Sequence, residues 1–208
     1  MRKSRGFTLT EAFITMVILG LIAIVVIPQI LIEDRRQANW DVMAQKMQGY
    51  ITQATIEIKL WNTSLDDFSR MKMGNEYFAI TDAGVEQKFS KLYQNYMQDV
   101  QLKVNTANEY FNTEMVDYNK TPLGMTLKEA YSDFFHVNDG MIMGFKFYQS
   151  CDATEPNANP PLVRNKYAVN KICGSIFYDI NSYAKPNRLG ADQYILPIGM
   201  KGLEYENH

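Results

Sequence analysis

The chain opens with an apolar stretch that lies between two charged segments. Residues 7–32 read FTLTEAFITMVILGLIAIVVIPQILI, and their one charged residue is Glu11. Residues 1–6 carry three basic side chains, and the charged run of residues 33–36 restores a polar surface. A helix rises about 1.5 Å per residue, so residues 7–32 would be roughly 39 Å long, enough to cross a hydrocarbon core of about 30 Å. The pattern predicts a transmembrane helix with its basic end in the cytoplasm.

The pattern of residues 33–62 predicts that this helix continues beyond the membrane as an amphipathic helix. Pro28 removes a helical hydrogen bond, so we expect a kink or a locally melted stretch near residues 24–28. Apolar side chains then recur at spacings of three and four, which places them on one helix face. They are Val42, Met43, Met47, Tyr50, Ile51, Ala54, Ile58 and Trp61.

Residues 63–208 predict a globular α+β head. We expect a loop with a short helical turn over residues 63–80 and a second helix from Asp82 to about Leu102. The sequence Thr126-Leu-Lys-Glu129 fits a capping box, which would open a short helix reaching about Phe135.

The last third of the chain predicts strands. Alternating apolar positions and flanking turn residues indicate strands at residues 140–149, 174–180 and 193–198. Three or four antiparallel strands would bury one face against the outer half of the long helix. The predicted fold class is therefore α+β, with a long N-terminal helix packed on a small C-terminal antiparallel sheet.

Composition gives no sign of catalysis or of nucleic-acid binding. The formal net charge is −2, too close to neutral for bulk attraction to nucleic acid. The two histidines have no cysteine at a zinc-binding spacing, and the chain has no phosphate-binding loop and no G-x-S-x-G motif. His136 alone is more typical of a surface or packed residue than of a catalyst. We therefore expect a protein that is not an enzyme and needs no cofactor.

Two ordinary interpretations of the N-terminus do not fit its sequence. An ordinary signal peptide has a shorter apolar run and a small-x-small cleavage site, which is missing after Ile32. A plain membrane anchor does not explain a carboxylate inside the apolar stretch, because an unpaired charge there is costly. A partner for Glu11 is therefore expected.

The hexapeptide Gly6-Phe7-Thr8-Leu9-Thr10-Glu11 resembles the cleavage and methylation signal of type IV prepilins and type II secretion pseudopilins. The resemblance implies a leader of residues 1–6, which prepilin peptidase removes between Gly6 and Phe7 before it methylates the new amine of Phe7. It also implies that Glu11 meets the Phe7 amine of a neighbouring subunit during assembly, as an ion pair in a low-dielectric setting. The implied fold is the pilin fold.

The resemblance implies a structural subunit of a type IV pilus or a type II secretion pseudopilus. Its partners would be copies of itself or other pilins, prepilin peptidase, an inner-membrane assembly platform and membrane lipid. It would begin as a single-pass inner-membrane protein with an extracytoplasmic head and end in a filament on the cell envelope. The alternative is a monomeric membrane-anchored protein that binds a partner through its head.

Cys151 and Cys173 flank a loop rich in Asn and Pro between two predicted strands. Because the head is expected outside the cytoplasm, where disulfides persist, we favour a bridge over two free buried thiols. Pilins often close a C-terminal loop in this way. For a loop of this length the bridge would contribute roughly 3 kcal/mol.

Residues 179–192 resemble a loop of many prepilin-type proteins, in which D-x-N leads through P-N and G-x-D to the last strand. Oxygen ligands from Asp179, Asn181, Asn187 and Asp192 could bind Ca²⁺. The alternative is that these side chains cap turns without a metal. Lys185 and Arg188 weigh against calcium because they bring positive charge into the loop.

Overall fold

A computed structural model describes most of the chain in two compact units, Met1–Asp41 and Val42–His208. The described residues are 9–64, 67–73, 76–79, 82–97, 101–137, 140–148, 172–199 and 202–203. Among the helices of this part, none is both long and apolar enough to cross a membrane. The predicted leader, residues 1–6, and the first two residues of the predicted apolar segment lie outside the described residues.

Helix α1 spans Leu9–Asn62, in agreement with the predicted continuation of the N-terminal helix. The helix is assigned without a break through residues 24–28, so the locally melted stretch expected near Pro28 is absent there. In its second half, Met47, Ile51 and Ile58 are fully buried, which confirms an amphipathic face. Val42 is 65% exposed, because nine residues at 100° per residue place it opposite Ile51. Tyr50 and Trp61, also predicted for the buried face, are exposed.

The head contains a six-stranded antiparallel sheet. The three predicted C-terminal strands are its centre, at Ile142–Phe147 (β8), Ile172–Asp179 (β9) and Gln193–Gly199 (β10). Register pairs such as Phe145 with Ile176 and Leu196 with Ile176 fix the three strands side by side. The remaining strands are Gln101–Lys103 (β4), Ser132–His136 (β7) and Gly202–Leu203 (β11). The order of the strands across the sheet is β11-β10-β9-β8-β7-β4.

Helix α2, Val85–Tyr96, packs on this sheet through aromatic side chains. Phe89 meets Phe145 and Phe147 at ring-centroid distances of 5.6 and 4.4 Å. Tyr93 lies 5.3 Å from Phe145, and its hydroxyl bonds with Thr55 of α1. Helix α2 confirms the predicted second helix, although it is shorter, and it links the sheet to the second half of α1.

A second core lies around two one-turn helices, Glu109–Asn112 (α3) and Leu127–Ala130 (α4). Phe111 and Phe134 pack with ring centroids 4.7 Å apart, and Phe177 of the sheet joins this cluster. The short antiparallel pair Glu114–Val116 (β5) and Pro122–Thr126 (β6) covers it.

The described residues between 63 and 79 contradict the prediction of a loop with a helical turn. They form a three-stranded antiparallel sheet of Thr63–Ser64 (β1), Asp67–Met73 (β2) and Glu76–Ala79 (β3). Met71 is fully buried and pairs with Phe78. Strand pairing satisfies the backbone of this mixed sequence better than an isolated helical turn would.

Two helix ends also differ from the predictions. The capping box at Thr126 is present, but α4 ends at Ala130, and residues up to His136 become strand β7. Helix α2 ends at Tyr96 because Met97 is extended, and the last predicted helical residues belong to β4. In both cases the chain enters the large sheet, in which β7 pairs with β8 and with the edge strand β4, instead of extending the helix.

Candidate functional site

Glu11 lies in the first turn of α1, the expected place for an assembly carboxylate. Glu11 is exposed, and its backbone carbonyl oxygen accepts a hydrogen bond from the Thr15 hydroxyl at 3.0 Å. The partial positive charge of a helix N-terminus favours a carboxylate there. Gly6 and Phe7, the predicted processing residues, lie outside the described residues.

The helix around Glu11 presents apolar side chains to its surroundings. Leu9 is 89% exposed and Met16 is 75% exposed. The other large exposed side chains of this segment are Phe13, Ile14, Val17, Ile18, Leu19, Leu21, Ile22 and Ile24. A contiguous apolar surface of this kind marks contact with lipid or with other protein.

A second polar site organises the segment between β9 and β10. Asp192 is fully buried, and its carboxylate closes the loop by accepting three hydrogen bonds. The donors are the Arg188 amide at 2.8 Å to Oδ1, and the Asn187 amide at 2.8 Å and Asn181 Nδ2 at 3.0 Å to Oδ2. The Asp192 side chain therefore stabilises the turn of the loop by capping the backbone amides of Asn187 and Arg188.

Asp179, also fully buried, is the centre of a network between distant elements. Its Oδ2 accepts from the Tyr110 hydroxyl at 2.5 Å and from Gln193 Nε2 at 3.1 Å, while Oδ1 accepts from the Asn181 amide at 3.0 Å. Burial raises the pKa of Asp179 to about 7, against the lowering effect of the Tyr110 hydrogen bond. Burial, followed by the charge of Asp179, raises the pKa of Tyr110.

The four proposed calcium ligands lie in this one loop and its flanking strand. Asn181 joins both acids, since its amide N–H reaches Asp179 and its Nδ2 reaches Asp192. Both carboxylates already accept hydrogen bonds from the protein. Within the described ranges no group of three or more His, Cys, Asp or Glu could hold a metal. Turn capping accounts for the contacts of Asp192, while Oδ2 of Asp179 is occupied by Tyr110 and Gln193. Calcium binding stays a prediction.

Cys173 is fully buried in β9 and is not a free thiol. Cys151, the other cysteine of the chain, lies outside the described residues, so the pairing of the two stays a prediction. The neighbouring backbone is tight, because a Cβ on Gly174 would overlap the carbonyl oxygen of Lys146.

His136 lies in β7 beside an aromatic side chain. Its Nε2 is 3.5 Å from the Tyr183 hydroxyl, and its Nδ1 is 3.3 Å from the carbonyl oxygen of Gly140. These are the contacts of a packed surface residue.

Sequence reasoning missed Tyr110 and Gln193, the partners of Asp179. Tyr110 lies on a one-turn helix whose N-cap is Asn108, and Gln193 follows Asp192 directly. The Asn-Glu-Tyr sequence could have indicated the cap, but nothing local indicates a contact between Tyr110 and a residue 69 positions later.

Comparison with known proteins identifies one segment. Residues 1–27 match the family model described as the prokaryotic N-terminal methylation motif. No curated protein and no solved structure matches the chain.

Proposed function

Because residues 1–27 carry the prepilin-type signature of pilins and pseudopilins, we propose that this chain is a structural subunit of a type IV pilus or a type II secretion pseudopilus. The motif match is the observation that carries the proposal. The α+β head behind a long N-terminal helix is compatible with it. The proposed role is structural and not enzymatic.

Processing comes first in this function. Prepilin peptidase removes residues 1–6 and methylates Phe7, which takes away the three basic side chains of the leader. Before that cut, those charges hold the leader on the cytoplasmic side. After it, the Phe7 amine is a cation close to the carboxylate of Glu11 in sequence.

Assembly uses the exposed part of α1. The apolar side chains from Leu9 to Ile24 are covered first by membrane lipid and later by neighbouring subunits. In that apolar setting a lone Glu11 carboxylate is unfavourable, while a carboxylate paired with the Phe7 amine of a neighbour is tolerated. The pairing of Glu11 with a neighbour's Phe7 amine therefore sets the position of an entering subunit along the filament. This assembly takes place on a platform in the inner membrane.

Substitution of Glu11 tests this function. The variant Glu11→Gln keeps the shape of the side chain and removes its charge, and Glu109→Gln is a matched control at an exposed acid of the head. We expect both variants to be cleaved normally. We expect the Glu11 variant to be depleted from filaments sheared off the cell surface, and the Glu109 variant to be present at wild-type levels.

Incorporation of Glu11→Gln at the level of the Glu109 control would refute the assembly role. A control variant that is also lost would instead show that the assay responds to any change of charge.

A further inference from the structure

A small cavity lies where α3 and β5 meet the loop between β9 and β10. Its volume is about 20 Å³. Its inner wall includes the buried side chains of Met115, Leu127 and Gln193, and its outer wall includes the exposed residues Thr113 and Glu114. The cavity therefore leads from the surface to the buried network around Asp179, with room for about one water-sized group.

Two amide oxygens in the lining have no hydrogen-bond partner among the described residues. They are Oε1 of Gln193, a residue only 2% exposed, and Oδ1 of Asn187. The orientation of the Gln193 side-chain amide is set by the hydrogen bonds of its nitrogen, Nε2. The Tyr110 hydroxyl donates its hydrogen to Asp179 and can therefore only accept a hydrogen bond from Gln193. The atom of Gln193 that lies 3.1 Å from this hydroxyl must then be the donor Nε2. Gln193 Oε1 is thus left as a buried acceptor, which is costly unless a ligand completes it.

The other polar groups of the lining do not supply the missing hydrogens. The Thr113 hydroxyl donates to the carbonyl oxygen of Glu109 at 3.1 Å, and the Tyr110 hydroxyl is committed to Asp179. Glu114 adds a carboxylate, whose Oε1 accepts the Gly124 amide at 3.0 Å. The cavity therefore favours a ligand that is rich in donors and positively charged. A primary ammonium has three N–H donors and no acceptor, so it can donate to both amide oxygens. A water molecule could also give one hydrogen to each oxygen, but it carries no positive charge to lie beside the Glu114 carboxylate.

We propose that this cavity binds a primary ammonium group, which donates to Gln193 Oε1 and Asn187 Oδ1 and places its charge beside the Glu114 carboxylate. The cavity has room for the ammonium group itself, so the carbon attached to the nitrogen would lie towards the outer opening at Thr113 and Glu114. The chemical class includes methylammonium and the side chain of lysine. This site is independent of the proposed role in filaments.

Two cations of equal charge test the proposal on the full-length processed protein in detergent micelles. Isotope-labelled protein is titrated with methylammonium chloride, and in parallel with tetramethylammonium chloride at the same ionic strength. Only the first cation has N–H donors. We expect methylammonium alone to shift the side-chain amide signals of Asn187 and Gln193 in a saturable manner. Equal responses to both cations, or none to either, would overturn the proposal and leave a water-filled cavity.

A pair of variants tests the part played by charge. Glu114→Gln removes the carboxylate at the cavity, and Glu109→Gln removes a nearby exposed carboxylate outside the lining. Because the ammonium then loses the attraction of a neighbouring opposite charge, we expect Glu114→Gln to weaken methylammonium binding by about tenfold. Glu109→Gln should bind as the wild type does. Equal affinities in the two variants would contradict the assignment.

Discussion

The Tyr110 hydroxyl donates to Oδ2 of Asp179 at 2.5 Å and so joins α3 to β9 across 69 positions of sequence. Gln193 Nε2 lies 3.1 Å from the Tyr110 hydroxyl oxygen and 3.1 Å from Asp179 Oδ2, so the three buried side chains contact one another. The second core of the head is thereby tied to the large sheet by polar contacts, in addition to the packing of Phe111, Phe134 and Phe177.

The first prediction concerns the pH dependence of stability through Asp179. Its pKa in the folded protein is about 7, mainly because of burial, against about 3.9 in an unfolded chain. Between these values the folded state binds the proton and the unfolded state does not. The stabilising contribution is therefore full below about pH 4 and is lost as the pH rises through about 7, with a slope of at most about 1.4 kcal/mol per pH unit.

Urea unfolding of the wild type and of Asp179→Asn, at several values between about pH 5 and pH 8, checks this prediction. The free energy of unfolding of the wild type should fall relative to that of the variant as the pH rises. A difference between the two proteins that stays constant over this range would contradict the raised pKa.

The second prediction concerns the close approach of β8 and β9 at Gly174. An added Cβ would overlap the carbonyl oxygen of Lys146, a backbone atom that cannot rotate away. We expect Gly174→Ala to lower the free energy of unfolding by about 3 kcal/mol or more. Gly49→Ala is the matched control, because its Cβ would meet no atom within 4 Å, and alanine should stabilise this exposed helical position by up to about 1 kcal/mol. Similar effects in the two variants would rule out this steric account.

The third prediction concerns the capping box of α4. Thr126 Oγ1 accepts from the Glu129 amide at 3.3 Å, and the Thr126 amide donates to Glu129 Oε2 at 2.7 Å. We expect Thr126→Ala to cost about 1 kcal/mol of stability in urea unfolding. Thr121→Ala, at an exposed position of the β5–β6 turn, should stay within about 0.5 kcal/mol of the wild type. A Thr126 variant as stable as its control would show that the cap does not contribute.

The sequence was sufficient to predict those helices and strands whose apolar residues recur with a clear period. The N-terminal helix, the face containing Met47, Ile51 and Ile58, and the presence of strands β8, β9 and β10 followed from periodicity and turn residues. Each of these signals is local, since it depends on neighbours one to four residues apart. The capping box at Thr126 is local in the same sense, and it too was found.

The segment after the capping box shows why other elements could not be predicted. A helix to Phe135 would satisfy the local pattern, but Phe135 stacks on Phe145 while Phe134 packs on Phe111. An extended backbone points two adjacent side chains to opposite faces of the sheet, and so lets them reach two different clusters. Those clusters come from distant parts of the chain, as does the Tyr110–Asp179 contact, so tertiary packing overrides the local preference.

The mass of the mature N-terminal peptide tests the central claim most directly. The chain would be isolated from its native membrane or filament and its N-terminal peptide measured by mass spectrometry. A subunit of a pilus or pseudopilus should begin at Phe7 and carry one methyl group on its amine. A mature chain that keeps residues 1–6 would contradict this account and favour a membrane-anchored monomer that binds a partner through its head.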